Sequence, residues 1–261
     1  MTSECKILEN VCLKGLYRRI VFSAPEIAAK ASPGQFVHVQ IPALRDRILR
    51  RPFSISGYDP ELGTLTVTYK VVGSGTEVLA KLAPGEICDV MGPQGNGYPM
   101  PSPEETPIIV AGGYGSAATL PLALRSPAKG FLLLGARSTA DLILNEEYEK
   151  AGFDVRISTQ DGSLGHKGLV TELLDPALAD AKGTPVVYAC GPTPMLMALG
   201  KMCVERGVRC YLSLDQHMCC GVGACFACVV KMKDESSPDG WRYSRTCKEG
   251  PVYLAEEVYY A

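Results

Sequence analysis

The stretch of this chain that says most about its fold is HMCCGVGACFACVV, from His217 to Val230, where four of the eleven cysteines lie within ten residues. Glycine and alanine separate these thiols, so the backbone can bend around a group that the thiols hold. Together with Cys247, three of them give the spacing C-x4-C-x2-C-x18-C, formed by Cys220, Cys225, Cys228 and Cys247. Cysteines at such intervals in a chain of this length indicate a metal centre rather than disulfides.

The intervals between the first three of these cysteines are those of a plant-type iron–sulfur loop, in which four thiolates hold a [2Fe–2S] cluster. Gly221 and Gly223 can turn backbone N–H groups toward the sulfurs. Structural zinc, which usually draws on two close cysteine pairs, and a set of reduced buried cysteines are the alternatives. A Rieske centre is excluded, because the three histidines are widely separated. We therefore predict Cys220, Cys225, Cys228 and Cys247 as the metal ligands.

Cys219 competes with Cys220 for the first position, because it would give the spacing C-x5-C. The plant-type interval favours Cys220. We therefore expect Cys220 to be the ligand and Cys219 to be a spectator.

Composition narrows the class of protein. The 261 residues are 46% hydrophobic and 21% charged, and a net charge of -2 leaves no basic surface for nucleic acid. The odd number of cysteines and the lack of a charged-then-apolar leader predict a cytoplasmic protein with reduced thiols. The uncharged run from Pro107 to Leu124 contains GGYG and a proline, which favours a strand, a turn and a helix over a membrane span.

The first hundred residues have the pattern of antiparallel strands. Apolar and polar residues alternate over Gln35–Ile41 and over Thr64–Val71. Turn signals separate such runs: SPG at 32–34, YDPELG at 58–63 and APG at 83–85. This spacing predicts an antiparallel β-barrel or sandwich.

From residue 107 the pattern changes to that of a parallel sheet with crossover helices. The predicted strands are Ile108–Ala111, Phe131–Leu134, Val155–Ile157, Val186–Cys190 and Cys210–Leu214. A helix should follow the fourth strand, with Thr193 as its cap, Pro194 in its first turn and Gly207 just after its end.

A proline-rich linker, YPMPSPEETP at 98–107, separates the two patterns. We predict a multi-domain β plus α/β protein: an antiparallel β-barrel at 1–101, a parallel α/β domain at 102–212 and a small cysteine-rich domain at 213–261.

Two glycine-rich turns and one arginine in these regions suggest nucleotide binding. Arg51 in RRPFSI can bind a phosphate bidentately, and the turn from Gly73 to Thr76 lends N–H groups to a pyrophosphate. The alternatives are a solvated surface arginine and a tight strand-to-helix turn without a ligand.

In the second region, AGGYG follows the first parallel strand and CGP follows the fourth, at the sheet edge where doubly wound sheets bind ligands. Neither is a G-x-G-x-x-G motif, and Cys190 can equally be a buried cysteine. The candidate NAD-binding residues are Gly112, Gly113, Gly115, Cys190, Gly191 and Pro192.

In order along nearly the whole chain, RRPFSI, GSGT, AGGYG, CGPTPM and CGVGACFAC…CKEGPV resemble the electron-transfer subunits of class 1B, NAD-dependent dihydroorotate dehydrogenase. That family belongs to the ferredoxin–NADP reductase superfamily. AGGYG departs from the family's usual GGGIG, and Glu249 stands in place of aspartate. Cys220 stands where the similar alpha subunit of NADH-dependent ferredoxin–NADP oxidoreductase has aspartate, which favours the dihydroorotate family.

The resemblance implies an FAD-binding β-barrel at 1–101, an NAD-binding α/β domain at 102–212 and a [2Fe–2S] cluster domain at 213–261. It implies FAD contacts at Arg51, Pro52, Phe53, Ser54, Thr68, Tyr69, Lys70, Gly75 and Thr76. It also implies that electrons pass between NAD(H), FAD, the [2Fe–2S] cluster and a separate FMN-containing catalytic subunit in pyrimidine biosynthesis, in a heterotetramer with two copies of each chain.

We predict no catalytic residue for dihydroorotate oxidation in this chain, which shows no second flavin site and no carbanion-stabilising base. The alternative functions are an NAD(P)H-dependent reductase of ferredoxin or sulfur compounds, with Arg137 near a 2′-phosphate, and a zinc-bound interaction module.

Overall fold

The computed structural model describes residues 2–42 and 49–260. A closed antiparallel barrel is formed in the order β1-β2-β5-β4-β3-β6. Its elements are β1 Thr2–Lys14, β2 Tyr17–Ser23, α1 Pro25–Ala28, β3 Phe36–Gln40, β4 Arg51–Asp59, β5 Thr64–Lys70, α2 Ser74–Leu79 and β6 Ile87–Gln94. The predicted alternation is confirmed here, because Val37, Val39, Leu65 and Val67 fill the barrel interior.

One predicted barrel strand is shorter at both ends than Gln35–Ile41. Gln35 lies in the turn before β3, where its N–H donates to Ser32 O at 3.2 Å, although its carbonyl accepts a hydrogen bond from Ile55 N of β4 at 3.0 Å. The Gln35 amide accepts a hydrogen bond from Ser32 N at 2.9 Å and donates one to Gly95 O at 2.8 Å. The side chain of Gln35 therefore ties the turn before β3 to the end of β6.

The second unit is a seven-stranded sheet in the order β10-β9-β8-β7-β11-β12-β15, in which β15 is Val252–Leu254 from the C-terminal segment. Its elements are β7 Glu105–Gly112, α3 Gly115–Arg125, β8 Phe131–Ala136, α4 Asn145–Lys150, β9 Asp154–Thr159, β10 His166–Lys167, α5 Leu174–Asp180, β11 Thr184–Cys190, α6 Thr193–Glu205 and β12 Arg209–Ser213. Three short 3₁₀ turns lie at Thr139–Asp141, Val170–Leu173 and Ala255–Glu257. All five predicted parallel strands are present; β7 begins three residues before its predicted start, and every other strand end lies within two residues of its prediction.

The strand order reverses between β7 and β11. From β7 the chain adds β8 on one side, and it later returns to place β11 on the other. This is the switch point at which loops leave the sheet in opposite directions and open a crevice at the carboxyl ends of the strands. AGGYG and CGP are the two loops at this point.

The prediction that Thr193 caps α6 is wrong. Thr193 is the first helical residue, and Pro192, with extended backbone angles, occupies the capping position without a side-chain cap. The Pro192 carbonyl accepts the first hydrogen bond of the helix, from Leu196 N at 3.1 Å, so the helix begins one residue earlier than predicted. Gly207 does follow the end of α6, with φ +65°.

The C-terminal segment forms a hairpin and then returns to the large sheet. β13 Val229–Lys233 pairs with β14 Trp241–Arg245, and β15 Val252–Leu254 pairs antiparallel with β12. Tyr253 and Val258 join the hydrophobic core on one face of this sheet. The cysteine loop is therefore held between two fixed strands. None of the helices within residues 2–42 and 49–260 is both long and apolar enough to cross a membrane.

Polar contacts fasten the barrel to the large sheet. Asp141 Oδ1 accepts hydrogen bonds from Lys70 Nζ and from Tyr17 Oη, each at 2.7 Å. The guanidinium of Arg125 lies 3.6 Å from the ring centroid of Tyr58. The hydrogen bonds from Lys70 and Tyr17 lower the pKa of Asp141, and the one from Lys70 has the larger effect. The two units consequently meet along a partly buried, charge-paired seam.

Candidate functional site

The four predicted ligand cysteines lie as two pairs. The thiols of Cys220 and Cys225 interact with each other, and so do those of Cys228 and Cys247. Cys228 and Cys247 are 2% and 1% exposed and pack with Phe36 of the barrel. Cys220 is partly exposed and Cys225 is exposed. The donor set thus runs from the protein interior to its surface.

Backbone N–H groups converge on Cys220. Burial opposes its ionisation, but hydrogen bonds from the backbone of Val222, Cys225 and Ala224 prevail and lower its pKa to about 6. The loop can aim these groups because Gly221 and Gly223 adopt φ +69° and φ +82°. The predicted role of these glycines is supported by this geometry.

In the buried pair, Cys228 and Cys247, the pKa of the Cys247 thiol is shifted upward, opposite to that of Cys220. Burial and the neighbouring Cys228 thiol raise the pKa of Cys247 to about 12. Two buried thiols so close together ionise together only if a cation compensates their charge. In the part of the chain that the structure describes, no three His, Cys, Asp or Glu side chains are arranged to hold one metal ion. Two pairs of thiols match the four-thiolate donor set of a two-iron cluster.

A brace that the sequence did not reveal supports this loop. Arg245 Nη1 donates a hydrogen bond to Gly223 O at 2.8 Å, and its guanidinium pairs with Glu249. The guanidinium also lies 5.0 Å from the ring centroid of Phe226. Phe226 is 58% exposed and has φ +56°. Arginine and glutamate four residues apart in a loop carry no recognisable pattern, so only the structure identifies the brace.

The structure brings Arg51 and the GSGT turn together. Arg51 Nε lies 3.1 Å from the position that a Cβ on Gly75 would occupy. The Thr76 hydroxyl accepts hydrogen bonds from Val72 N and Gly73 N, at 2.9 and 3.2 Å, and donates one to Gly73 O. Arginine and turn N–H groups side by side form a surface suited to a pyrophosphate.

The other predicted FAD residues separate into two groups. Pro52 and Ser54 lie opposite His38 and Phe36 on one face of the barrel. Phe53 instead packs against the barrel core.

The β5 residues are engaged in protein contacts. The Thr68 hydroxyl lies 3.0 Å from that of Ser56, and Tyr69 Oη donates to Asn10 Oδ1 at 3.2 Å. Lys70 forms the Asp141 ion pair described above. The Tyr69 ring lies in the barrel core, so this residue can offer a ligand its backbone but not its ring.

The AGGYG and CGP loops contact each other. A Cβ on Gly115 would lie 2.1 Å from Cys190 O, and one on Gly112 would lie 2.6 Å from Pro192 Cδ. A Cβ on Gly191 would lie 2.6 Å from Met195 Cε and 3.0 Å from Gly112 Cα. Gly113, with φ +55°, faces open space. Glycine is therefore required so that the two loops can approach at the switch point.

A carboxylate that sequence reasoning missed lies beside these loops. Asp215 follows β12, and although the residue is exposed, desolvation by the surrounding protein raises the pKa of its carboxyl. Burial and the nearby Asp215 raise the pKa of Cys190 to about 12, so this thiol stays protonated. Burial and Asp215 also raise the pKa of Tyr114. The crevice thus holds a tyrosine, a thiol and a carboxylate.

Comparison with known proteins identifies the family. A family model for the iron–sulfur cluster binding domain of dihydroorotate dehydrogenase B matches residues 215–259. The dihydroorotate dehydrogenase B (NAD(+)) electron transfer subunit of Fusobacterium nucleatum is 37% identical, over 98% of this chain and 97% of that protein. The subunit of the same name from Geobacillus kaustophilus is 39% identical, over 87% and 86%.

Solved structures share the fold of this chain. The NADH-dependent reduced ferredoxin–NADP oxidoreductase, studied for flavin-based electron bifurcation, is 29% identical, with a TM-score of 0.83 over 97% of this chain and 89% of that chain. A ferredoxin–NADP⁺ reductase from Neisseria gonorrhoeae, solved with bound FAD and NADP, shares the fold at 18% identity, with a TM-score of 0.65 over 79% and 92%.

The curated relatives favour the dihydroorotate family over the ferredoxin or sulfur-compound alternative. The predicted family, fold class and cofactors are confirmed. The chain belongs to the family of electron transfer subunits of NAD-dependent dihydroorotate dehydrogenase B, oxidoreductase components that use FAD, an iron–sulfur cluster and NAD and act with a catalytic partner subunit.

Proposed function

We propose that this chain connects NAD(H) to an FMN-containing dihydroorotate dehydrogenase subunit through FAD on the barrel and a [2Fe–2S] cluster in the thiol loop. The observation that carries this proposal is the packing of Cys228 and Cys247 against Phe36 of β3. Phe36 lies directly opposite Ser54 of the predicted flavin strand. One pair of neighbouring strands therefore adjoins both cofactor sites, which keeps the path for electrons short.

FAD exchanges a hydride with NAD(H) and single electrons with an iron–sulfur cluster. Arg51 and the Gly75–Thr76 turn would hold its pyrophosphate, and Pro52, Phe53 and Ser54 would line its ring. Thr68, Tyr69 and Lys70 would contribute from β5, Tyr69 through its backbone. Gly112, Gly113, Gly115, Cys190, Gly191 and Pro192 would place the nicotinamide at the switch point. Their close packing would exclude water from the crevice.

In the thiol loop, Cys220, Cys225, Cys228 and Cys247 would bind the irons, with Cys219 outside the ligand set. The backbone N–H groups around Cys220 would stabilise its thiolate. The regions 1–101, 102–212 and 213–261 would serve FAD, NAD and the cluster. The assembly would be a heterotetramer with two copies of each chain. Eleven free thiols support a cytoplasmic location.

Replacing Arg51 by alanine should weaken FAD binding. A hydrogen bond to a charged group contributes about 1.5–3 kcal/mol, so we expect an affinity about ten to a hundred times lower. Flavin released on dialysis measures the change. The control is Arg19→Ala on the same barrel, an arginine paired with Glu9. Equal flavin retention in the two variants would contradict the assignment of Arg51.

If this chain reacts with NADH and the catalytic subunit reacts with dihydroorotate, the flavin of the isolated chain should respond differently to these two substrates. Under anaerobic conditions NADH should bleach the flavin of the isolated chain within seconds, while NADPH should act much more slowly. Dihydroorotate should leave the flavin oxidised until the catalytic subunit is added. Absorbance near the flavin maximum measures all three reactions. Bleaching by dihydroorotate alone would show that this chain has a dihydroorotate site of its own.

A further inference from the structure

His38 has no hydrogen-bond partner although it is completely buried. Its side chain is 0% exposed, and neither Nδ1 nor Nε2 has a partner among the described residues. A buried polar group without a partner costs stability, and a ring N–H normally finds an acceptor. The imidazole therefore indicates a ligand group that the polypeptide itself does not supply.

The alternation along β3 aims this ring at the cysteine loop. Val37 and Val39 point into the barrel, so Phe36 and His38 point out of it. Phe36 packs against Cys228 and Cys247. His38 Nε2 lies 2.9 Å from the position that a Cβ on Gly221 would occupy, directly after Cys220. Two successive outward side chains of one strand thus lie under the thiol loop.

The protein groups around the ring do not provide a good acceptor. Arg50 is close enough for its charge to influence His38, but a guanidinium only donates hydrogen bonds, and it is paired with Asp89 at 2.7 Å. Met91, which lies opposite His38 on β6, offers only a thioether. Burial and Arg50 lower the pKa of His38 to about 4, and even the neutral ring keeps one N–H. The missing partner is an acceptor on the loop side.

We propose that His38 is a positioning residue that donates a hydrogen bond from its ring to a sulfur of the [2Fe–2S] group, joining the flavin barrel to the cluster loop and raising the cluster's reduction potential. This inference rests on the proposed cluster site. Thiolate and sulfide sulfurs accept hydrogen bonds, and such bonds favour the reduced cluster because it carries more negative charge. Pro52 of the predicted flavin strand β4 lies next to His38, on the strand that pairs with β3. The same residue therefore sits where it can affect both the position and the potential of the cluster.

The test compares His38→Leu, which removes the donor, with His38→Gln, whose amide N–H replaces it near the position of Nε2. His166→Leu is the matched control, because His166 is exposed and pairs with Glu172 far from the loop. The holoprotein is titrated anaerobically, with the cluster followed by EPR and the flavin by absorbance. We expect a more negative cluster potential in His38→Leu and a return toward the wild-type value in His38→Gln. The flavin potential and the His166→Leu protein should not change.

An unchanged cluster potential in a fully loaded His38→Leu protein would overturn the inference, and so would a shift in the flavin potential in place of the cluster's. Iron and acid-labile sulfide are measured first, because their absence from the wild-type chain would refute the cluster site itself. If the His38→Leu protein does not bind a cluster, pulsed EPR of the His217→Gln protein labelled with ¹⁵N-histidine tests the proposal instead. Nitrogen coupling to the reduced cluster supports His38, and its absence contradicts the proposal.

Discussion

Replacing Cys220 by serine is expected to remove most of the iron and acid-labile sulfide from this chain. Changes to groups that merely support metal ligands cost about ten- to a hundredfold in metal affinity, and the loss of a ligand should cost at least as much. Three backbone N–H groups also donate to Cys220 and lower its pKa to about 6. Transfer of electrons from NADH to a one-electron acceptor should fall with the cluster, while flavin reduction by NADH should remain.

The matched control is Cys219→Ser, which changes the adjacent thiol. In the described residues the paired thiols are Cys220 with Cys225 and Cys228 with Cys247, and Cys219 belongs to neither pair. Iron, sulfide and the EPR signal of the dithionite-reduced protein should therefore stay at wild-type levels in Cys219→Ser. Full cluster content in Cys220→Ser, with loss in Cys219→Ser, would reverse the assignment of the first ligand.

Replacing Gly115 by alanine is expected to disable the reaction with NADH while leaving both bound cofactors in place. The new methyl group would lie 2.1 Å from Cys190 O, a backbone atom that cannot move aside cheaply. The AGGYG and CGP loops would have to separate. Misplacement of a substrate by about 1 Å can cost about a hundredfold in rate, so we expect a loss of that order in kcat/KM for NADH. Stopped-flow measurement of flavin reduction gives the value.

Gly130→Ala provides the control for this change. Its methyl group would lie 2.1 Å from Pro107 O, the same clash with a backbone carbonyl at the opposite edge of the sheet. Overpacking of this kind costs about 1–3 kcal/mol, so both variants should lose similar stability in thermal unfolding. Only Gly115→Ala should lose activity with NADH. Equal losses of activity would mean that general destabilisation, rather than the spacing of the two loops, accounts for the effect.

The local patterns were sufficient for much of the fold. Period-two alternation identified Thr64–Val71 as a barrel strand, which the structure forms over Thr64–Lys70, and apolar runs identified the five parallel strands, because each pattern reflects which faces of one element are buried. Errors arose where a single residue decides a boundary. Gln35 closes the turn before β3 through hydrogen bonds with Ser32, and Pro192 rather than Thr193 precedes α6. Neither effect shows in the hydrophobic pattern.

By itself the sequence determined the kinds of elements, the order of the three regions and the thiol spacing that points to a [2Fe–2S] cluster. Those features depend on residues close together in the chain. Only the tertiary structure decided that His38 and Phe36 lie beneath the cysteine loop, that Asp215 borders the crevice between the AGGYG and CGP loops and that β15 returns to the large sheet. Such contacts join residues far apart in sequence, and they depend on which apolar faces and strand edges meet when the whole chain folds, which no local pattern records.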